Sequence, residues 1–292
     1  MSRLYDKIKA SRDMPTIIKN IFSNIPIIKI DNVSGYVAQK IQKHESIQTP
    51  PNIAPPFPRF FMESKSFWNG DGAATFGLLF DAQSPQDVPN MYNGNTEEEE
   101  LFATICTGKW VYAITLFAET GGGLIDYYFR WFVGVDDTGN MILGENGAPR
   151  WLSLCFKDNV ENRLAAITQY LFPGLLAISF MHCKNVTATE HNPKDIRHKK
   201  PIRDSRGHLK KKTPQTKYYT LDIEPMKKVL KSEGNIDEVG LQRALHICRG
   251  HFKDYSNGKG LFGKYKGLYW WDSTVRGTEE AGKIEKDYAI KI

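Results

Sequence analysis

Residues 110–135 read WVYAITLFAETGGGLIDYYFRWFVGV, and they predict a β-hairpin. Aromatic and β-branched side chains, which favour extended strands, fill Trp110 to Glu119 and Leu124 to Val135. The glycines Gly121 to Gly123 between the two runs allow the tight turn that joins antiparallel strands. A further turn at residues 136–139, DDTG, leads into a third strand, so the stretch predicts an antiparallel meander.

Outward from this hairpin, the chain alternates between strand and helix patterns. Apolar, aromatic or β-branched residues cluster or alternate in further segments, and strands are predicted at residues 59–62, 73–80, 175–189, 218–223 and 266–271. Capping residues or apolar stripes predict helices near residues 15–23, 97–106, 160–170 and 236–249. The third helix is expected to stop near Pro173. Together these elements predict an α+β fold, in which antiparallel hairpins carry flanking helices.

The proline-rich segment TPPNIAPPFP at residues 49–58 excludes a regular helix and predicts an extended connector. It separates an N-terminal helical arm, residues 1–50, from an α+β body, residues 51–292. Within the body we expect a long exposed basic loop at residues 192–217. We also expect a glycine- and aromatic-rich C-terminal subdomain at residues 236–292.

The composition is typical of an ordered globular protein, since 41% of the 292 residues are hydrophobic and 25% are charged. The N-terminus lacks the apolar core of a secretory signal, and no apolar run approaches the roughly 20 residues of a membrane-spanning helix. The four cysteines show no CxxC spacing, which argues against a disulfide scaffold or a zinc finger. We therefore expect reduced thiols and a cytoplasmic protein with no membrane partner.

The net charge of +6 is unevenly distributed. Residues 194–217 hold ten Lys or Arg and two Asp, whereas the rest of the chain is close to neutral. Runs of like charge are usually solvated connections, but such a loop can also meet phosphate groups or an acidic protein surface. The candidate partner-binding residues of the basic loop are Lys199, Lys200, Arg203, Arg206, Lys210, Lys211 and Lys212.

A second candidate site is the block RGHFKDYSNGKGLFGKYKGLYWWDSTVRG at residues 249–277, where basic and aromatic side chains are interleaved. Rings and cations on one surface suit single-stranded nucleic acid, and Tyr, Trp and Arg are also common anchors of protein interfaces. The same rings could instead fill a small hydrophobic core. The candidate partner-binding residues of the block are Arg249, His251, Lys253, Tyr255, Lys264, Trp270, Trp271 and Arg276.

The chain contains no recognisable catalytic arrangement. GKGLFG at residues 258–263 matches GxGxxG, but a predicted helix precedes it and a strand follows, which is the wrong order for a phosphate-binding crossover. His246 and Cys248 lie two positions apart on a predicted helix and would point to different faces, which argues against a shared metal ion. We predict no catalytic residue, no metal and no cofactor.

Three segments carry a resemblance to a known family: HCKNV at residues 182–186, LQRALHICRGHFKDY at 241–255 and GLFGKYKGLYWWDSTVRG at 260–277. In them the chain resembles proteins of phages, prophages and bacteria, mostly without assigned function, and PPFPRFF at 55–61 fits this family more loosely. In size and pattern the chain is also similar to the viral anti-Gabija proteins, which inhibit a bacterial nuclease–helicase defence complex by direct binding.

This resemblance implies a non-enzymatic, phage-encoded inhibitor that acts in the cytoplasm of the bacterial host. Its partner would be a bacterial nuclease–helicase defence complex, around which it would form a homo-oligomer that keeps DNA away. Weak, non-specific binding of nucleic acid is expected as well. Two alternatives stay open: a single-stranded nucleic-acid-binding protein, and a nucleotide-processing enzyme centred on His251, Lys264 and Arg276.

Overall fold

The computed structural model describes a set of residues that covers most of the chain: 4–12, 14–23, 25–65, 75–88, 96–119, 125–126, 129–144, 151–155, 167–192, 216–223, 244–248, 250–271, 274–276 and 278–283. The chain divides into two compact units. The first comprises Met1–Met181 with Ala188–Leu221, and the second comprises His182–Thr187 with Asp222–Ile292.

The described helices are α1 (Leu4–Ala10), α2 (Thr16–Ile21), α3 (Asp31–Gln42), α4 (Thr96–Ile105) and α5 (Phe172–Met181). The described strands are β1 (Ile27–Lys29), β2 (Arg59–Lys65), β3 (Thr75–Gln83), β4 (Trp110–Glu119), β5 (Ile125–Asp126), β6 (Phe129–Val135), β7 (Trp151–Cys155), β8 (Val186–His191), β9 (Tyr218–Ile223), β10 (Ala244–Cys248), β11 (His251–Asp254), β12 (Leu268–Trp271), β13 (Thr274–Arg276) and β14 (Thr278–Lys283).

Nine strands form the main sheet, in the order β7–β6–β4–β3–β2–β1–β9–β8, with β5 beside β4. The successive pairs β2–β3, β3–β4, β4–β6 and β6–β7 are antiparallel, so this part of the chain is a meander. The predicted α+β class is confirmed. The predicted hairpin is confirmed in its strands, because Ile114 of β4 pairs with Trp131 of β6. Its predicted turn at Gly121 to Gly123 lies outside the described residues.

Helices cover both faces of the main sheet. On one face α1 and α2 pack on the central strands, in a cluster that contains Leu4, Tyr5, Ile8, Phe22, Phe61, Leu79 and Phe117. On the same face, nearer β7, α4 packs in a second cluster with Ile105, Val111, Phe132 and Leu152. On the opposite face α5 approaches β3 so closely that a Cβ at Gly174 would lie 2.6 Å from Leu78 Cδ1. Burying these apolar faces is the main source of stability.

The first 50 residues contribute to the main sheet. The predicted helix at residues 15–23 is confirmed as α2, but β1 follows it and lies between β2 and β9, parallel to both. In addition, Glu63 of β2 accepts a hydrogen bond from the backbone N–H of Tyr5 at 3.0 Å. A strand of three residues is too short to show an alternating pattern, so the sequence indicated only a helical arm here.

The prediction around Pro173 was wrong. A π-helical turn at Ile167–Leu171 continues directly into α5, and residues 175–181 are helical instead of extended. Pro173 lies just after the π-helical turn and does not end the helix. Pro173 to Phe180 are all buried, and a continuously apolar run of this kind does not distinguish a helix from a strand.

The helix predicted at residues 236–249 was also wrong where it can be compared. Ala244–Cys248 form β10, which is antiparallel to β13 and parallel to β14, and residues 236–243 and 249 lie outside the described part. The argument that separated His246 from Cys248 by helical spacing therefore does not apply. Pairing with strands that are distant in sequence has overridden the local helix signal.

The remaining predicted elements agree with the structure. The strand predictions at 59–62, 73–80, 218–223 and 266–271 correspond to β2, β3, β9 and β12, and the helix prediction at 97–106 corresponds to α4. The basic loop was expected between two neighbouring strands. This is confirmed, because β8 ends at His191, β9 begins at Tyr218 and the two strands are neighbours in the sheet.

Candidate functional site

The candidate site is built on the β11–β12 hairpin of the second unit. These strands are antiparallel, with His251 opposite Trp271 and Phe252 opposite Trp270. Because side chains alternate along a strand, Phe252 and Trp270 share one face, where both are buried and their rings meet edge-on at 4.7 Å between centroids. This pair is the hydrophobic anchor of the hairpin.

A short segment of the same unit holds β12 from the side. The backbone N–H of Lys184 donates to the carbonyl oxygen of Leu268 at 2.9 Å, and the side-chain amide of Asn185 bonds the backbone of Trp270. Asn185 is buried. Asn185 lies in the HCKNV segment, but the sequence analysis did not identify it as a residue that positions the hairpin.

The loop between β11 and β12 ends in a tight turn. The backbone N–H of Tyr265 donates to the Leu261 carbonyl and that of Leu261 to the Tyr265 carbonyl, each at 3.0 Å, so residues 262–264 form the tip. Gly260 has a φ of +79°, and a Cβ there would lie 2.6 Å from the Tyr265 carbonyl oxygen. Only glycine fits this conformation and this approach without strain.

Phe262 occupies the tip and is 64% exposed. Among the described residues the other large exposed hydrophobic side chains are Leu143 at 50% and Phe57 at 37%, both in the first unit. Phe262 also has a φ of +52°, a left-handed conformation that is rare for a bulky side chain. The turn therefore presents an aromatic ring to solvent at a cost in backbone strain.

Four exposed lysines lie in the same hairpin: Lys253, Lys259, Lys264 and Lys266. The Nζ of Lys253 lies 5.3 Å from the ring centroid of Tyr255, and the Nζ of Lys264 lies 5.3 Å from that of Tyr265. Cation–π contacts of this kind hold ammonium groups near the loop surface. The site is thus an apolar tip on a hairpin that carries four exposed lysines, which can dock into an apolar pocket that has an acidic rim.

The predicted site residues of this block differ in their exposure to solvent. His251, Lys253 and Lys264 are exposed, whereas Tyr255 and Trp271 are half-buried against Tyr265 and Tyr269. Two buried donors of this cluster, the Tyr255 hydroxyl and the Trp271 Nε1, have no hydrogen-bond partner among the described residues.

Trp270 requires a correction. It is only 4% exposed, so it is a core residue of the hairpin and no surface anchor. The exposed ring of the hairpin is that of Phe262, which was not among the predicted site residues. Composition could not show which of the neighbouring rings points outward.

Other predicted site residues cannot be placed. Arg249 and the whole set Lys199, Lys200, Arg203, Arg206, Lys210, Lys211 and Lys212 lie outside the described residues. Arg276 lies in β13, opposite His246 of β10.

The strands that flank the basic loop are joined by an exposed carboxylate. Glu190 of β8 accepts hydrogen bonds from the Tyr219 hydroxyl at 2.9 Å, from Lys217 Nζ at 3.3 Å and from Asn192 Nδ2 at 3.1 Å. The hydrogen bonds from Tyr219 and Lys217 hold the pKa of Glu190 below its ordinary value, and Glu190 raises the pKa of Lys217. Because Asn192 and Lys217 lie at opposite ends of the basic loop, Glu190 ties its two ends together.

The GxGxxG match follows a strand and leads into an antiparallel strand, so it is a hairpin loop without the helix N-terminus that a phosphate crossover uses. Over the part of the chain that the structure describes, no three His, Cys, Asp or Glu side chains group together as metal ligands. Within the same residues, no helix combines the length and the apolar character needed to cross a membrane.

A comparison with known proteins found no relative of this chain. No protein-family model, no curated protein and no solved structure matches this chain.

Proposed function

We propose that the chain is a non-enzymatic binding protein that inhibits a bacterial anti-phage defence complex of the nuclease–helicase type, and that Phe262 is the centre of its contact surface. The observation that carries the proposal is the 64% exposure of this ring at the tip of a hairpin loop. The similarity in size and pattern to the viral anti-Gabija proteins supplies the class of partner.

Strain at the tip supports a role in binding. Holding a non-glycine residue at a φ of +52° costs about 1–2 kcal/mol, and such conformations concentrate at ligand-binding and active sites. Packing of the Phe262 side chain offsets little of this strain energy, because most of its surface faces solvent. A contact with a partner accounts for a strained and exposed aromatic residue at this position.

A protein partner fits the arrangement better than single-stranded nucleic acid. Stacking along a strand of bases needs successive accessible rings. In this hairpin Tyr265 and Tyr269 are each 7% exposed and Trp270 is buried as well, so these rings pack against the fold. One largely exposed hydrophobic ring, on a hairpin with four exposed lysines, suits one apolar pocket on an acidic protein surface.

The test is binding of the purified chain to a purified defence complex of this type, measured by calorimetry together with nuclease activity. Phe262→Ala should weaken binding by at least tenfold, as truncation of a central aromatic anchor does. Leu143→Ala removes an apolar side chain of the first unit that is 50% exposed, and it should leave the affinity unchanged. Equal affinity of wild type and Phe262→Ala, or no binding of the wild type, would refute the proposal. The mass of the complex reports whether the chain oligomerises around its target.

Single-stranded nucleic acid is the second candidate, and the four exposed lysines around the tip favour it. If these lysines neutralise phosphates, log affinity should fall with log salt at about −0.7 per contact. Tight binding with such a slope, and no protein partner, would replace the first proposal with this one.

A further inference from the structure

The loop between β11 and β12 contains an asparagine followed by a glycine, Asn257 and Gly258. Among the asparagines that the structure describes, Asn257 is the one that precedes a glycine. Both residues are exposed and lie outside the two strands. Such a pair is reactive, because the backbone nitrogen after an asparagine can attack the carbonyl carbon of the asparagine side chain. A glycine puts no side chain in the way of this attack.

Neither reacting group is held by the fold. Within the described part of the chain the Asn257 side-chain amide takes part in no hydrogen bond, and neither does the Gly258 N–H. A Cβ added at Gly258 would meet nothing within 4 Å, so the space around this residue is open. Gly258 also has a φ of +76°, which glycine adopts without strain. The side chain and the backbone nitrogen are thus free to approach each other.

A second exposed asparagine, Asn140, is held in place. Its Nδ2 donates to Thr138 Oγ1 at 2.6 Å, and its backbone N–H donates to Asp136 Oδ1 at 2.8 Å. The residue that follows is Met141, which has a side chain and is buried. Attack on the Asn140 side chain therefore requires hydrogen bonds to break. Two asparagines that are both exposed thus differ in their freedom to react.

We propose that Asn257 is a site of spontaneous deamidation, which turns a neutral amide of the hairpin loop into a carboxylate. The Gly258 nitrogen loses its proton to hydroxide and forms a bond to Cγ of Asn257. The bond from Cγ to the side-chain nitrogen breaks, and ammonia leaves. Water then opens the resulting succinimide ring and yields aspartate or isoaspartate at position 257. Water is the co-reactant, and the step involves no change of oxidation state.

The new carboxylate would lie in a basic hairpin. Residues 251–271 hold four lysines and one aspartate, so deamidation lowers their net charge from +3 to +2. Isoaspartate also routes the backbone through the former side chain, which lengthens the loop that carries Phe262. On an acidic partner surface both changes oppose docking, a consequence that rests on the proposed function. Deamidation would therefore weaken the contact as the chain ages.

The experiment is incubation of the purified full-length chain at mildly alkaline pH, followed by peptide mapping with mass spectrometry. We expect aspartate and isoaspartate to accumulate at position 257. Asn140 in the same sample should react more slowly by about tenfold or more, because the hydrogen bonds that hold it must break first. Asn257→Gln keeps an amide but can close only a larger ring, and it should suppress the reaction in this loop. Equal rates at Asn257 and Asn140, or no product at position 257, would overturn the proposal.

A second arm measures the association rate with the defence complex of the proposed function. Asn257→Asp should associate more slowly than the wild type at low salt, and the difference should shrink as salt screens the charges. Asn20→Asp places the same charge on an exposed residue of the first unit and should leave the rate unchanged. Deamidation at position 257 without slower association would support the modification and refute the acidic partner surface. The two proposals can therefore fail separately.

Discussion

The side-chain amide of Asn185 forms two hydrogen bonds with the backbone of Trp270. Its Nδ2 donates to the Trp270 carbonyl at 2.9 Å, and its Oδ1 accepts from the Trp270 N–H at 3.0 Å. A buried asparagine that meets one donor and one acceptor of the same residue replaces a neighbouring strand and sets the position of β12. The tip with Phe262 is carried by this strand and its partner β11, so its placement depends on the contact.

Asn185→Ala should destabilise the second unit, because it leaves the Trp270 N–H and carbonyl buried without partners, at about 1–3 kcal/mol for each group. Hydrogen exchange of the Trp270 amide should accelerate accordingly. Asn257→Ala, which truncates an exposed asparagine in the same hairpin loop, is the control and should change neither quantity. Unchanged protection of the Trp270 amide in Asn185→Ala would show that the side chain does not hold this strand.

Two glycines of the loop offer a matched comparison. Gly258 and Gly260 have φ values of +76° and +79°, but a Cβ at Gly258 meets nothing within 4 Å, whereas one at Gly260 would lie 2.6 Å from a backbone oxygen. Gly258→Ala should therefore cost about 1–2 kcal/mol through its backbone conformation alone. Gly260→Ala should cost more and open the turn, seen as faster hydrogen exchange across residues 255–267. Equal exchange rates in the two variants would contradict the close contact.

The sequence was informative where aromatic and β-branched residues fill a run that turn residues bound. Such runs in residues 110–135 located β4 and β6, and the strand at 218–223 was predicted at its observed bounds. The approach failed at α5, which is buried along its whole length, and at β1 and β10, whose pairing partners are distant in sequence. In such segments tertiary contacts decide the structure, and local pattern carries little information.

Composition drew attention to residues 249–277 but did not show their geometry. The mixture of lysines and rings singled out the block that contains the β11–β12 hairpin, yet the ring that faces solvent is Phe262 and not Trp270. Which ring points outward depends on the strand register and on the left-handed turn at the tip, and neither can be derived from residue types.

The Cys183 thiol should be almost inert in the folded chain. Burial raises the pKa of Cys183 to about 12, and the thiolate is the species that reacts. At pH 8 alkylation of Cys183 by iodoacetamide, followed by mass spectrometry, should be slower than in the urea-unfolded chain by roughly a thousandfold. Comparable rates in the folded and unfolded chain would show that the second unit opens readily around this residue.

Phe262→Gly should change stability and binding in opposite directions. Glycine relieves the left-handed strain at φ +52°, worth about 1–2 kcal/mol, and the larger freedom of glycine in the unfolded chain takes back about 0.5–1 kcal/mol. The free energy of unfolding should therefore stay equal or rise, as measured by urea denaturation. Affinity for the proposed partner should fall by at least tenfold, because the ring is gone.

Two further variants separate the ring from the backbone. Phe262→Asn keeps a side chain that tolerates the left-handed region but removes the ring, so it should follow Phe262→Gly in both stability and binding. Phe262→Tyr keeps the ring and the strain, and should resemble the wild type in both. If Phe262 were a structural residue, Phe262→Gly and Phe262→Asn would lose stability and affinity together. Affinity that follows the ring, while stability follows the backbone conformation, would establish that the tip is strained in order to present Phe262 to a partner.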